Sequence, residues 1–131
     1  MADKFNLDGF SVDENDVCTA DGGFVGDVTG RVYGGKTAYS SSGDVNLFAT
    51  LHELSAASSD VNLTLGAASG VTTLHFYATN VSNACTISFG GISPAFNLVT
   101  LAAVGDAAIL TYDSLGSKWI CTSLVGTATI S

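Results

Sequence analysis

The sequence predicts a nearly all-β protein: a single antiparallel β-sandwich or jelly-roll-like domain with an extended N-terminal arm. Hydrophobic residues make up 47% of the 131 residues and charged residues only 12%, a balance typical of a chain that folds around a core. Val and Thr recur, while Lys and Arg together number 4, which favours strands over helices with charged outer faces. Short segments also alternate apolar and polar residues between Gly, Ser, Asn and Asp, as half-buried strands do.

Charge divides the chain into an acidic arm, residues 1–21, and a β-sandwich or jelly-roll-like body, residues 22–131. Acidic residues crowd the first thirty positions: Asp3, Asp8, Asp13, Glu14, Asp16, Asp21 and Asp27. The apolar residues among them are too few for a core, so we expect either an arm that lies on another surface or a partly disordered terminus. The run from Gly22 to Lys36 alternates glycines with apolar residues, as strand ends and bulges do, and is predicted to join arm and body.

Period-2 alternation predicts the strands of the body in order. One predicted strand face holds Val61, Leu63 and Leu65; the next holds Leu74, Phe76 and Ala78, alternating with Thr73, His75 and Tyr77; a third holds Cys85, Ile87 and Phe89 before a turn at Gly90-Gly91. Pro94 lies between two such segments, where its missing N–H interrupts no ladder.

The C-terminal part predicts a hairpin. Ala108, Leu110 and Tyr112 share one face, Trp119, Cys121 and Ser123 share one on the following segment, and residues 113–117 supply the turn. The segment from Asp44 to Ala57 fits either a strand followed by a helical turn or a helix, because Leu47, Leu51 and Leu54 have helical spacing. No repeat of fixed period is present, which argues against a solenoid.

Net charge and targeting signals limit the function. A formal charge of −8 would repel nucleic acid and anionic membranes, so neither is an expected partner. The N-terminus shows no apolar stretch behind basic residues, and no window approaches a membrane span, so we expect a protein that is made and kept in the cytosol, or released only by lysis. Cys18, Cys85 and Cys121 form an odd, widely spaced set that predicts neither a disulfide framework nor a CxxC metal site, and Cys85 and Cys121 are predicted core residues.

The search for reactive groups predicts no catalytic, cofactor-binding or metal-binding residues, and therefore no enzyme. His52 and His75 lie on different segments without further ligands at zinc spacing. No Gly-x-Ser-x-Gly elbow supports a Ser-His-Asp triad, and Asp106 and Asp113 are predicted turn residues rather than a carboxylate pair. The glycines of 22–26 and of 34–37 lack phosphate-loop spacing. Acidic residues at 13–16 and Asp21 make calcium conceivable, but the closing Glu of an EF-hand is missing.

The residues from Val99 to Asp113, followed by Lys118-Trp119-Ile120, resemble a segment of tailed-bacteriophage structural proteins. In capsid decoration (cement) proteins and in tail-fibre or baseplate domains, a Gly-Asp turn, an alternating strand, a short loop and a Trp strand close a β domain in this way. The resemblance implies a virion protein that assembles as a homo-oligomer, often a trimer, bound to the major capsid protein or other virion proteins. Deleting the arm should then leave a folded body that no longer binds heads.

Two other function classes stay open at this stage. The first is a tail-fibre or baseplate β module that binds a receptor or glycan, for which the candidate residues are Tyr33, Tyr39, Tyr77 and Trp119, although Trp119 also fits a core position. The second is a small cell-wall hydrolase carried on a virion, which the sparse set of titratable residues disfavours.

Overall fold

A computed structural model describes residues 35–68 and 72–131, together with three short strands of the N-terminal segment at 5–7, 10–12 and 18–20. The chain divides into two compact units, Met1–Val32 and Tyr33–Ser131. Within the residues described, all regular secondary structure is β-strand. The prediction of an all-β protein is therefore confirmed.

The first unit contains a three-stranded antiparallel sheet in the order β1-β2-β3. Its strands are β1 (Phe5–Leu7), β2 (Phe10–Val12) and β3 (Cys18–Ala20). Phe5 pairs with Val12, and Val12 pairs in turn with Cys18. Part of the predicted arm thus folds back on itself as strands, and an extended arm is not confirmed. The acidic residues at 13–16 and Asp21, for which calcium was conceivable, and the joint up to Gly34 lie outside the described residues.

The second unit consists of two five-stranded sheets between which the chain alternates. Sheet I has the order β12-β11-β8-β6-β4, and its strands are β4 (Lys36–Tyr39), β6 (Leu51–Ser55), β8 (Thr72–Asn80), β11 (Ala107–Asp113) and β12 (Lys118–Val125). Sheet II has the order β13-β10-β9-β7-β5, and its strands are β5 (Gly43–Asp44), β7 (Val61–Leu65), β9 (Cys85–Phe89), β10 (Leu98–Thr100) and β13 (Thr129–Ile130).

Both sheets are mixed, so the prediction of an antiparallel fold is wrong, and the jelly-roll form is not confirmed. The first three passages of the chain, β4–β5, β6–β7 and β8–β9, stack with parallel pairing in both sheets. The chain then reverses, and β10 and β11 add to the sheets antiparallel to β9 and β8. The three parallel passages have no fixed repeat length, because Lys36 pairs with Leu51 and Leu51 pairs with His75, at separations of 15 and 24 residues.

The inner faces of sheets I and II share one hydrophobic core, the arrangement of a β-sandwich. The predicted alternation is confirmed, because every apolar residue assigned to the inner faces of β7, β8, β9 and β11 is buried. Trp119 is also buried, and its Nε1–H donates a hydrogen bond to the Gly66 carbonyl at 2.8 Å. The polar atom of the largest core side chain is thereby satisfied.

The predicted hairpin is confirmed, since β11 and β12 pair antiparallel from Asp113 and Lys118 onward. Its face assignment needs one correction. The register shifts so that Leu110 lies opposite Cys121 but Ile109 lies opposite Ser123, which leaves Thr122 as an extra residue in a β-bulge. Ser123 therefore changes face, and Leu124 takes the inner position opposite Ala108.

The segment from Asp44 to Ala57 contains strands and turns, so neither predicted alternative, a helix or a strand followed by a helical turn, is observed there. Leu51 is half exposed on the outer face of β6, whereas His52 and Leu54 are fully buried. The helical spacing of the three leucines is therefore coincidental, because two of the three point to opposite faces of one strand.

Candidate functional site: an apolar face at the end of the sandwich

The residues with reactive groups are scattered or have structural partners. His52 and His75 lie on opposite faces of sheet I, since His52 is buried and His75 alternates with Leu74 and Phe76. Across the ranges 35–68 and 72–131, no three His, Cys, Asp or Glu side chains come together in a way that could hold a metal ion. Lys36 begins a strand rather than a helix, and its Nζ lies 2.9 Å from Glu53 Oε2.

Asp106 immediately precedes β11 and lies in a turn, as predicted, whereas Asp113 is the last residue of β11 and bonds to the turn that follows. Asp113 Oδ1 accepts a hydrogen bond from the Leu115 N–H in the hairpin turn. Asp106 is buried, and its carboxylate accepts hydrogen bonds from the backbone N–H groups of Ala102, Ala103 and Thr127. Burial raises the pKa of Asp106, but the hydrogen bonds lower it more, so the pKa lies below its ordinary value.

The aromatic residues proposed for receptor or glycan binding do not form an exposed platform in the described part of the chain. Trp119 is core, and the hydroxyl of Tyr39 is hydrogen-bonded to His52 at 2.9 Å. Tyr77 is half-buried, with the Lys36 ammonium 5.6 Å from its ring centroid. Tyr33 lies outside the residues that the structure describes.

The most distinctive surface feature is an apolar groove at the end of the sandwich formed by β12 and β13. Its volume is about 420 Å³. The residues that line it are Ile92, Phe96, Trp119, Ile120, Cys121, Thr122, Ser123, Leu124 and Ile130, and we call this set the groove face. Ile92 is 66% exposed, Phe96 52% and Leu124 38%, fractions that are unusual for large apolar side chains gathered at one place.

Close backbone packing in the loop between β9 and β10 presents two of these side chains. A side chain at Gly91 would overlap the carbonyl of Phe96, so only glycine fits there. Gly91 also forms an isolated parallel bridge with Trp119, and the Trp119 N–H donates to the Gly90 carbonyl at 2.8 Å. The loop is thus fixed to β12 at one point, and Ile92 and Phe96 stand beside that strand.

Strand β12 is the terminal strand of sheet I. It pairs with β11 along its whole length, and within the described residues only the bridge at Gly91 is formed on its other side. Backbone N–H and C=O groups beyond Trp119 therefore line an open sheet edge, which can add a strand from another chain. The bulge at Thr122 divides this edge into two short regular stretches.

The groove face carries no acidic side chain, although the chain as a whole has a formal charge of −8. Lys118, the first residue of β12, is the charged residue adjacent to it in sequence. The acidic residues in the strands of sheets I and II lie on other strands, at Asp44, Glu53 and Asp113, and Asp113 pairs with Lys118 at the start of β12. The groove face is therefore an uncharged apolar surface on a strongly acidic protein.

Sequence reasoning did not identify this face. The sequence predicts a turn at Gly90-Gly91 and a break at Pro94, places Cys121 in the core, and leaves Trp119 as either a core residue or a glycan-binding candidate. The available signal was the presence of Ile92 and Phe96 within a Gly- and Pro-containing loop, because large apolar residues in such a loop must either fold under the domain or remain exposed.

Comparison with models of known protein families and with curated protein sequences finds no match to this chain. No helix among the described residues could cross a membrane.

Proposed function

We propose that the protein is a non-enzymatic structural component of a phage virion, a capsid decoration protein that stabilises the head as a homo-oligomer. The groove face is the observation that carries the proposal of self-association. The resemblance of residues 99–120 to phage structural proteins supports the location on a virion. A decoration protein needs extensive contacts and no reactive site, and an all-β body with an apolar edge fits that requirement.

The proposed occupant of the groove face is a second copy of this chain. Two molecules that each carry a net charge of −8 repel each other over most of their surfaces. The groove face has no acidic residue, so copies meeting there avoid placing like charges in contact. Burial of Ile92, Phe96 and Leu124 would supply the apolar contact that interfaces place at their centres.

The proposed oligomer is a trimer, as the resemblance implies. A closed ring of three requires the groove face of one copy to contact a different surface on the next, whereas pairing of two groove faces would close a dimer. Light scattering on the purified full-length chain distinguishes these states. The trimer has a mass of about 40 kDa, three times the chain mass of 13.3 kDa.

Substitutions in the groove test whether this face makes the contact. Phe96→Asp and Leu124→Asp place a charge among apolar residues, and we expect self-association at least about tenfold weaker. Leu115→Asp is the matched control, because Leu115 is 97% exposed in the hairpin turn outside the groove. A wild-type chain that is monomeric at micromolar concentration, or equal effects of all three substitutions, would contradict association through this face.

The location on a virion needs a separate experiment. Electron micrographs of particles assembled with and without the protein should differ by added density on the capsid surface, over its lattice points. Particles that do not retain the protein after purification would contradict the decoration role even if the chain forms a trimer in solution.

A further inference from the structure

A second feature, distant from the groove face within sheet I, is the fully buried imidazole of His52. β6 lies next to the terminal strand β4, whereas the groove face belongs to β12 at the other end of the sheet. The ring of His52 stacks between two aromatic rings: its centroid lies 4.8 Å from that of Phe76 and 5.8 Å from that of Tyr39, with interplanar angles of 20° and 21°. Nothing in the proposed association uses this residue.

Hydrogen bonds fix the protonation state of the ring. Nε2 lies 3.0 Å from the Ala49 carbonyl, which can only accept, so Nε2 carries the proton. Nδ1 lies 2.9 Å from the Tyr39 hydroxyl and therefore accepts from it in the neutral ring. The Tyr39 oxygen accepts in turn from the backbone N–H of Asn46 at 2.9 Å. This chain of bonds links β4, β6 and the segment between β5 and β6.

Among the residues that the structure describes, none places a counter-charge beside His52. Tyr39 is the titratable group that faces it from β4, and burial raises the pKa of that hydroxyl, which keeps it neutral. Phe76 faces it from β8, and Ala49 contributes a carbonyl. The neighbouring charges, Lys36 and Glu53, pair with each other, and Glu53 alternates with His52 along β6 and so lies on the opposite face of sheet I.

Adding a second proton to this imidazole would be unfavourable for two reasons. It would place a charge in a site shielded from water, and it would turn Nδ1 into a donor against a hydroxyl that already donates to it. Burial lowers the pKa of His52 below its ordinary value of 6.5, partly offset by the hydrogen bond to Ala49. In an opened form the exposed ring would take up a proton near 6.5, so acid favours the opened form.

We propose that His52 is an acid-sensitive latch whose protonation releases β4 from β6, together with the segment 46–50 that bonds to Tyr39 and Gly35, while β5 stays paired with β7. β4 is the element released because it is a four-residue terminal strand of sheet I that, among the described residues, pairs with β6 alone, and terminal elements with few partners open first. Phe76 of β8 contacts His52, but β8 and the other strands from β7 onward also have core contacts that are independent of His52, so these strands stay folded. Acidification would thus expose the edge of β6 to another chain.

Hydrogen exchange on the wild-type full-length chain measures this opening directly. Between pH 7.0 and pH 5.0, the equilibrium constant for opening of β4 and the segment 46–50 should increase by up to about 25-fold. This is the increase that uptake of one proton with a pKa of 6.5 allows, and it is measured after correction for intrinsic exchange. The reporting amides are those of Asn46 and Thr50, which donate to Tyr39 and Gly35. The amide of Leu101, bonded to Cys85 in the opposite sheet, should not change.

Two variants separate His52 from other titrating groups. His52→Phe keeps a stacked ring without a titrating nitrogen, and the pH-dependent increase should disappear. His75→Gln removes the half-buried histidine of the outer face, and the increase should remain. Persistence of the full increase in His52→Phe would overturn the proposal.

If His52→Phe does not fold, nitrogen NMR of the imidazoles in the wild-type protein tests the proposal instead. At pH 7.0 His52 should show a protonated Nε2 and an unprotonated Nδ1, and it should titrate below the ordinary value of 6.5. A protonated Nδ1, titration at or above that value, or unchanged protection of Asn46 and Thr50 at pH 5.0 would each overturn the latch. The oligomer mass at pH 7.0 is measured separately, so the two proposals can fail independently.

Discussion

The carboxylate of Asp106 binds Thr127 twice: Oδ1 accepts from the backbone N–H and Oδ2 from the hydroxyl, both at 2.8 Å. Oδ2 also accepts from the N–H groups of Ala102 and Ala103 at 2.8 and 2.9 Å. One buried side chain thereby joins the turn before β11 to the turn between β12 and β13. These two turns connect the last passages of the chain between sheets I and II, next to the strand that carries the groove face.

Asp106→Asn should destabilise the protein at neutral pH, because the amide nitrogen would be a donor facing other donors. The effect should be pH-dependent. The folded pKa of Asp106 is below its ordinary value of 3.8, so the carboxylate stabilises the fold fully above that value, and this stabilisation is lost as the pH falls below it. Urea unfolding of the variant and the wild type should therefore differ at pH 6 and converge toward pH 2.5.

Asp113→Asn is the matched control for this experiment. Asp113 makes a single hydrogen bond to Leu115 in the exposed hairpin turn, so its loss should change the stability little. A difference between wild type and Asp106→Asn that stays constant from pH 6 to pH 2.5 would contradict the assignment.

Three glycine-to-alanine substitutions should destabilise the protein in a defined order. Gly66→Ala has free space and no positive φ, so its cost should stay within about 0.5 kcal/mol. Gly105→Ala also has free space but a φ of +90°, which costs about 1–2 kcal/mol in strain. Gly126→Ala adds a clash with Asp106 Oδ1 to a φ of +77° and should cost most. Thermal unfolding measures the order, and an equal cost at Gly105 and Gly126 would contradict the clash.

The sequence predicts the faces of the strands well, because alternation is a local property of the chain. Val61, Leu63 and Leu65 are buried as their period-2 pattern indicates. Pairing direction is not local: β7 pairs parallel to β9, and only the path of the connecting segments decides this. The bulge at Thr122 could not be predicted from the sequence either, because one extra residue changes the face of Ser123 without altering the composition of the segment.

The two sites depend on contacts that pattern reasoning cannot supply. His52 counts as a polar residue in any hydropathy pattern, yet it is fully buried because Tyr39 and Ala49 satisfy both ring nitrogens. Phe96 counts as a core candidate, yet the tight packing of its carbonyl against Gly91 leaves its side chain at the surface. In both cases the outcome is set by partners that are distant in sequence or by backbone geometry.

The rate of cysteine labelling tests whether the groove face is covered in the oligomer. Cys85 is buried in the core, whereas Cys121 is half-buried and lines the groove, and burial raises the pKa of both thiols. In a Cys18→Ser background, Cys121 should react with a maleimide faster than Cys85, which should react only on unfolding. Raising the protein concentration should slow labelling of Cys121, because a second copy would cover it. A labelling rate independent of concentration, in an oligomer confirmed by mass, would place the contact elsewhere.

Residues 33–131 should fold without the N-terminal unit. Both five-stranded sheets begin at or after Lys36, and the shared core extends from Val45 to Trp119. The only tryptophan of the chain, Trp119, is buried in that core, so its fluorescence reports unfolding of this unit alone. Urea unfolding of the truncated chain should be a single cooperative transition with a midpoint close to that of the full-length protein. A broad, non-cooperative transition would show that the first unit completes the fold.

The same truncated chain tests where the association contact lies. If it folds and forms an oligomer with the same number of chains as the full-length protein, association depends on the body, as the groove face predicts. If the truncated chain folds but is monomeric, the contact belongs to residues 1–32.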